Sequence, residues 1–135
     1  MPIDVRIDAE RRLVVASAHG EMTDEDVFGY QRSVWSRPEV QGFNEIVDMT
    51  AVRHIALPHP DRVRDLAELS ASMDPSHTSS RMAIVAPDDF AYGLGRMFGL
   101  HRKNEELSTK QVGVFRTLEE AMAWLGVARE AAEPD

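Results

Sequence analysis

Two histidines and an aspartate that lie close together in the chain are the residues whose types most directly suggest chemistry. His54, His59 and Asp61 fall in the segment AVRHIALPHPD, between a predicted strand and a predicted helix. Such a group could act as a general base whose orientation is held by the acid, or it could supply some of the ligands of a metal site in a metal-assisted hydrolase. A metal site needs three or four convergent ligands, and paired histidines on a helix usually stand four residues apart. The spacing of five favours two surface histidines in a loop over a metal centre.

A predicted helix after Pro87 carries a second set of candidate residues. The string DDFAYGLGRMF places two glycines inside this amphipathic helix, at a cost of about 1 kcal/mol each relative to alanine. Tyr92 and Arg96 stand four residues apart on one face. A helix–helix dimer contact is the favoured interpretation of this face, and a bound ligand or close packing within one chain are the alternatives. The predicted ligand- or partner-binding residues are Leu57, His59, Phe90, Tyr92, Gly93 and Arg96.

The acidic pair at the start of this helix has a structural explanation. Asp88 and Asp89 follow a predicted strand, at the edge where open α/β sheets place ligands. An acid at a helix start is ordinarily a cap, which is the role we expect for Asp88. The chain contains neither a G-x-S-x-G nucleophile elbow nor a GxxxxGK[ST] phosphate loop. No catalytic residue and no cofactor are therefore predicted, and the sequence indicates a protein that is not an enzyme.

Composition bounds the class of protein. The chain has 135 residues, of which 43% are hydrophobic and 28% are charged, as expected for one folded domain. Its net charge of −8 argues against nucleic acid and anionic membranes as partners, because both require a basic surface. The absence of cysteine excludes disulfides and thiolate chemistry. Neither a targeting segment nor a run of eighteen apolar residues is present, so we expect a cytoplasmic protein without membrane insertion.

The chain begins with two predicted strands. Ile3, Val5 and Ile7 alternate with charged residues, which is the period of a strand with one wet face. Such a strand belongs at or near the edge of a sheet. A short turn leads into LVVASAHG, which we expect to pair antiparallel with the first strand. Gly20 is expected to close this hairpin.

Strands and helices alternate in the rest of the chain. Capping boxes at Thr23 and Thr117 begin two helices, and two more follow over DRVRDLAELSASM and after Asp88. NEIVDMT, the apolar run 82–86 and VGVF are strands. The order β-β-α-β-α-β-α-β-α predicts an α/β domain with a mixed, mostly parallel sheet of four or five strands and four helices. This domain spans residues 1–128, and residues 129–135 form a polar C-terminal tail.

Two strings in this order resemble the SpoIIAA-like family, a bacterial branch related to STAS domains. They are RMAIVAPDDFAYGLGRMF at 81–98 and VGVFRTLEEAMAWL at 112–125, with GEMTDED and IVDMTAV in support. The resemblance covers nearly the whole chain and implies a STAS-like mixed sheet with helices packed on it. Most members of the family are uncharacterised. Relatives of the fold serve as phosphorylation-switched partner proteins or, in the CRAL-TRIO branch, as carriers of apolar ligands.

The resemblance raises the question of a phosphorylation switch. In STAS switch proteins, a strand ending in Asp-aliphatic-Ser leads to a loop that presents a serine at the next helix N-terminus, where the helix dipole favours a phosphate. The strand end corresponds here to residues 47–50, but no hydroxyl occurs between Thr50 and Ser70. Thr50 is a weak candidate acceptor whose favoured role is to bond local backbone in a turn. An anti-anti-sigma-like partner switch is therefore disfavoured.

The sequence thus predicts a non-enzymatic module that binds a small apolar, lipid-like ligand or a regulatory protein partner, and that forms a homodimer. The partner switch is the second hypothesis. The third is a metal-assisted hydrolase that uses His54, His59 and Asp61.

Overall fold

The structure, a computed structural model, describes residues 2–56 and 59–127. Its strands are β1 (Ile3–Asp8), β2 (Leu13–Thr23), β3 (Asn44–Ala56), β4 (Ser80–Val85) and β5 (Lys110–Phe115). Its α-helices are α1 (Asp24–Val34), α2 (Asp61–Ser72), α3 (Asp89–Lys103) and α4 (Leu118–Leu125), and a short 3-10 helix spans Pro38–Val40. The predicted contact residue Leu57 and the predicted tail at 129–135 lie outside the described residues.

The predicted order of elements and the mixed sheet are confirmed. The five strands lie in the order β1-β2-β3-β4-β5. β1 and β2 pair antiparallel, from Ile3 opposite Ala18 to Asp8 opposite Leu13. All the other neighbours pair parallel, and each crossover between them contains one α-helix. The charged first strand lies at the edge of the sheet, as its alternation predicts.

Two strands are longer than predicted. β2 does not end at Gly20 but continues to Thr23, and β3 continues to Ala56 beyond the predicted NEIVDMT segment. His54, predicted in a loop, therefore lies on a strand. The reason is the pairing between the two strands, which shifts register twice and resumes as far as Thr23 opposite Ala56. Gly20 has a φ of +69°, and this left-handed conformation suits glycine at such an irregularity.

The predicted helix caps are confirmed. The Asp26 backbone N–H donates to Thr23 Oγ1 at 3.2 Å, and the Asp26 carboxylate accepts from the Thr23 N–H at 2.9 Å. Thr117 and Glu120 form the second reciprocal pair. Asp88 accepts from the Ala91 N–H at 3.1 Å. These bonds satisfy donors that the first turn of a helix leaves open.

The helices divide unequally between the two faces of the sheet. Leu13 and Val15 of β2 belong to a cluster with α4, whereas Val14 and Ala16 face the cluster that contains α1. α2 and α3 pack on the α1 side, over Ile84 and its neighbours. Three helices therefore share one face of the sheet, and the space between them and the strands holds the candidate site. Within the described ranges, no helix is long and apolar enough to cross a bilayer.

Candidate functional site

A cavity of about 130 Å³ lies between the sheet and helices α1, α2 and α3. All three helices and strands β1 to β4 contribute lining residues. The floor is formed by β2, β3 and β4, and the roof includes Val27, Leu66 and Phe98. For comparison, an engineered apolar cavity of about 150 Å³ in another protein binds benzene. The space is thus large enough for a small organic molecule.

Small side chains on facing elements explain why this space is open. Ala16 and Ala18 of β2 lie on the floor, and Ala91 and Gly95 of α3 lie opposite. Gly95 also lets α3 approach the sheet closely, because a Cβ there would stand 3.2 Å from Val114 Cγ1. Protein interiors are ordinarily packed to the density of organic crystals. A patch of small residues under three helices is therefore a distinct feature of this core.

The polar groups at the inner end of the cavity are already paired with one another. Tyr30 and Glu45 both line the cavity, and the Tyr30 hydroxyl donates to Glu45 Oε2 at 2.6 Å. Lys110 Nζ donates to Glu45 Oε1 at 3.2 Å. Trp35 Nε1 donates to the Tyr30 oxygen at 3.1 Å, and the Lys110 ammonium lies 3.5 Å from the Trp35 ring centroid. Because these partners occupy both carboxylate oxygens of Glu45, the wall presents mainly apolar surface.

The ionisation of Tyr30 is strongly disfavoured in this network. Burial raises the pKa of Tyr30 well above its ordinary value near 10, and the negative charge of Glu45 acts in the same direction. The hydrogen bond that the hydroxyl donates to Glu45 also favours the neutral form. Tyr30 is therefore a neutral hydrogen-bond donor at physiological pH, and its role here is to hold the buried carboxylate.

The outer end of the cavity lies where Asp24 and Arg62 reach solvent. These two side chains are 12% and 29% exposed, whereas Glu45, which also lines the cavity, is 3% exposed. Arg62 Nε donates to Asp24 Oδ2 at 2.8 Å, and the guanidinium lies 4.1 Å from the centroid of the Phe28 ring. The pair thus joins the first turns of α1 and α2 across the mouth of the cavity.

The mouth is surrounded by acidic side chains. Arg62 also contacts Glu25 at 3.4 Å and Asp65 at 3.6 Å. The hydrogen bond from Arg62 lowers the pKa of Asp24 and is the largest influence on it, and the same bond raises the pKa of Arg62. Both groups are therefore charged throughout the neutral range.

The predicted binding residues on α3 lie outside this cavity. Phe90, Gly93 and Arg96 are exposed on the outer side of the helix, and Tyr92 is half-buried. Tyr92 stacks with Arg116, whose guanidinium lies 3.9 Å from the ring centroid. These predicted residues therefore belong to a helix that lines the cavity, but they lie on its other side. That Phe90, Gly93 and Arg96 form a binding surface for a partner stays a prediction.

The loop candidates do not converge in the structure. His54 is exposed on β3, and His59 and Asp61 are exposed near the start of α2. Asp61 faces Arg64, with 3.8 Å between Oδ1 and Nη2. In the part of the chain that the structure describes, no three His, Cys, Asp or Glu residues form a group that could hold a metal ion. His59 stays a predicted contact residue.

Thr50 lies on β3 and not in a turn. Its hydroxyl donates to Asp48 Oδ1 at 2.5 Å, and its backbone N–H donates to the same oxygen at 3.0 Å. The predicted bond to local backbone is therefore replaced by a bond to a carboxylate. A phosphate on Thr50 would meet the like charge of the Asp48 carboxylate, whose Oδ1 already accepts a hydrogen bond from the Thr50 hydroxyl.

The cavity residues themselves were missed at the level of sequence. Two signals were present: Ala16 and Ala18 alternate on one face of LVVASAHG, and Ala91 and Gly95 stand one turn apart on the inner side of α3. Neither signal locates a cavity alone, because small residues usually mark close packing. Only their placement opposite each other identifies the space.

A solved structure with a similar fold comes from Shewanella loihica PV-4. It is an uncharacterised protein of the DUF3478 family with a SpoIIAA-like fold. The two chains share 15% sequence identity over 91% of each, with a TM-score of 0.55. This likeness shows that the chain has a SpoIIAA-like fold, in agreement with the strings at 81–98 and 112–125. No protein-family model and no curated protein sequence matches this chain.

Proposed function

We propose that this SpoIIAA-like domain is a non-enzymatic module that binds a small apolar molecule between its sheet and helices α1, α2 and α3. The observation that carries the proposal is the cavity of about 130 Å³ under three helices. Ligand sites are concave, mostly apolar and largely preformed, which are the properties of this space.

The volume of the cavity limits the size of the ligand. Its volume suits a single aromatic ring or a short hydrocarbon chain, since a cavity of about 150 Å³ accommodates benzene. A long-chain lipid would require the helices to move apart. The predicted lipid-like ligand is therefore narrowed to a molecule of about one ring.

The chemistry of the walls supports binding over catalysis. Glu45 is held by Tyr30 and Lys110, so its carboxylate has both oxygens engaged. A ligand inside the cavity meets mainly side-chain carbon, and its affinity comes from apolar burial. We therefore expect benzene and toluene to bind better than phenol, whose hydroxyl would lose its hydrogen bonds to water.

Thermal unfolding with benzene, toluene and phenol tests this proposal. At ten times the dissociation constant, benzene or toluene would raise the free energy of unfolding by about 1.4 kcal/mol, or the Tm by about 5 °C. Phenol should give a smaller shift at the same concentration. If neither hydrocarbon raises the Tm, the proposed ligand class is wrong.

Cavity-filling variants test whether the ligand that raises the Tm binds in the cavity. Ala91→Leu and Ala18→Leu each place a larger side chain in the cavity, so a folded variant should lose the shift produced by toluene. Ala123→Leu is the matched control, because Ala123 is exposed on α4 at the opposite face of the sheet. A full toluene shift in both cavity variants would place binding elsewhere.

A second proposal is that the chain forms a homodimer through α3. The supporting observation is an apolar stripe on its outer face, where Phe90, Met97 and Leu100 are 58%, 38% and 61% exposed. Large apolar side chains grouped on one exposed face mark sites of association more often than scattered ones do. The predicted partner-binding residues Phe90 and Gly93 belong to this face.

Light scattering over a range of protein concentrations tests the homodimer. We expect the mass to approach that of two chains at high concentration, and Leu100→Glu to shift the chain toward the monomer. Leu107→Glu is the matched control, because Leu107 is 64% exposed but lies beyond the end of α3. A monomer at every concentration would refute the homodimer, and equal effects of the two variants would refute its location.

A further inference from the structure

The apolar stripe on α3 follows the spacing of a two-helix seam. Phe90, Gly93, Met97 and Leu100 are separated by three, four and three residues, which is the alternation of the a and d positions of a heptad. Gly93 is exposed, and among the described residues no atom outside its own helix lies within 4 Å of the place where its Cβ would stand. The stripe therefore has three large side chains and one gap of its own.

We infer that two copies of the chain pair through antiparallel α3 helices, an inference that rests on the proposed homodimer. In this arrangement a positions face d positions, so Phe90 packs against the partner's Leu100 and Met97 fills the gap at the partner's Gly93. Each of these contacts occurs twice because the interface is two-fold symmetric and uses the same surface on both copies.

A parallel pairing of the same stripe is less favourable. It would bring each residue against its own copy, so Gly93 would face Gly93 and the gap would stay unfilled. It would also align the two helix dipoles, whereas the antiparallel arrangement opposes them. The single glycine among large residues thus selects the antiparallel direction.

Charges beside the stripe agree with this direction. Asp89, Arg96 and Lys103 follow one another at intervals of seven residues, so they lie along the same flank of α3. Antiparallel pairing places Asp89 opposite the partner's Lys103. The Asp89 side chain is 94% exposed, although its Oδ1 accepts a hydrogen bond from Arg116 Nη1 of the same chain at 2.7 Å. The same symmetry places Arg96 beside its own copy near the two-fold axis, where its long side chain can extend into solvent.

The proposed contact is limited in extent. The seam uses a single 15-residue helix from each copy, whereas a standard protein interface uses about 20–30 residues a side. We therefore expect a dissociation constant in the micromolar range, and the test requires protein well above that concentration.

Site-specific crosslinking tests the arrangement, since the natural chain has no cysteine. Arg96→Cys and Lys103→Cys each introduce one thiol on the same flank and leave the apolar stripe intact. With a short bismaleimide linker, Arg96→Cys should form a covalent dimer because the two thiols flank the symmetry axis. Lys103→Cys should not form a covalent dimer. Position 103 lies seven residues, or about 10 Å along the helix, from the symmetry axis, so the two introduced thiols are about 20 Å apart.

The outcomes separate this inference from the homodimer itself. Efficient crosslinking of Lys103→Cys equal to that of Arg96→Cys would indicate a parallel or unspecific contact and overturn the arrangement. No crosslinking of Arg96→Cys while light scattering still shows a dimer would place the interface elsewhere. A monomeric wild-type chain at the working concentration would instead remove the proposed homodimer. Adding Leu100→Glu to Arg96→Cys should abolish its crosslinking, which confirms that the stripe brings the thiols together.

Discussion

Arg102 and Asp74 form a buried, bidentate ion pair. Arg102 Nη1 lies 2.6 Å from Asp74 Oδ2, and Nη2 lies 3.2 Å from Oδ1. The two side chains are 3% and 6% exposed. Asp74 also accepts a hydrogen bond from the Thr109 backbone N–H at 2.9 Å. The Asp74 carboxylate, in the segment after α2, therefore binds both the end of α3 and the residue that precedes β5.

Asp74→Asn should destabilise the domain strongly. The substitution leaves the Arg102 guanidinium buried without its counter-charge, and breaking a buried ion pair in this way costs about 3–5 kcal/mol. Urea denaturation measures the loss in the free energy of unfolding. Asp61→Asn is the control, since its contact with Arg64 is 3.8 Å long and both side chains are exposed. Similar losses in the two variants would contradict this assignment.

Glu45 and Lys110 should show strong energetic coupling. Glu45→Gln and Lys110→Met each leave the other charge unpaired in the core, so we expect each to lower the free energy of unfolding by about 3 kcal/mol. The double variant removes both charges, so it should lose clearly less than the sum of the two single losses. A double-mutant cycle by urea denaturation measures the coupling. Additive losses, within about 0.5 kcal/mol, would show that the pair does not act as a unit.

Tyr30 should make the domain less stable at alkaline pH. Its pKa is raised in the folded protein, so above pH 10 the unfolded chain releases a proton that the folded chain retains. Stability conferred by this group is thus complete below pH 10 and is lost as the pH rises above it, by about 1.4 kcal/mol per unit. The stability difference between wild type and Tyr30→Phe should therefore shrink between pH 10 and pH 11.

Absorbance measures the same ionisation directly. The chain has two tyrosines, so Tyr92→Phe leaves Tyr30 as the single phenol. Its ionisation near 295 nm should appear only together with unfolding at high pH. A reversible titration near pH 10 in the folded variant would show that Tyr30 is accessible and not held by Glu45.

Gly93→Ala and Gly95→Ala should differ although the two positions lie two residues apart on α3. In the part of the chain that the structure describes, a methyl group at position 93 would meet no neighbouring element, so helix propensity should stabilise the monomer by about 1 kcal/mol. At position 95 it would stand 3.2 Å from Val114 Cγ1, and this tight contact should cancel the gain. Urea denaturation of dilute, monomeric protein compares the two. A gain of equal size at both positions would contradict the close approach of α3 to β5.

Local features of the fold were predictable because they depend on neighbours in the chain. The caps at Thr23, Asp88 and Thr117 join atoms three residues apart. Strand and helix periods in the sequence likewise identified the order of elements and the edge position of β1. The ends of β2 and β3 were not predictable, because the residues after Gly20 and Thr50 owe their extended conformation to each other across a bulged pairing.

The candidate site was only partly predictable. Helix α3 could be singled out from its glycines, but the sequence could not tell which of its faces lines a cavity. Gly95 serves close packing inside the chain and Gly93 lies open on the outside. The same residue type therefore has two roles that depend on what stands opposite each position.

The α/β order, the capped helices, the charged edge strand and the amphipathic α3 could all be predicted from the sequence, since each arises from spacing and hydrogen bonds within a few residues. The cavity and the buried pairs exist only once the whole chain is folded. Glu45 and Lys110 are 65 residues apart in the chain, and Asp74 and Arg102 are 28 apart. Burial and pairing at such separations depend on how the sheet and helices pack as a whole, because local spacing carries no information about which distant side chain fills, or leaves open, the space opposite.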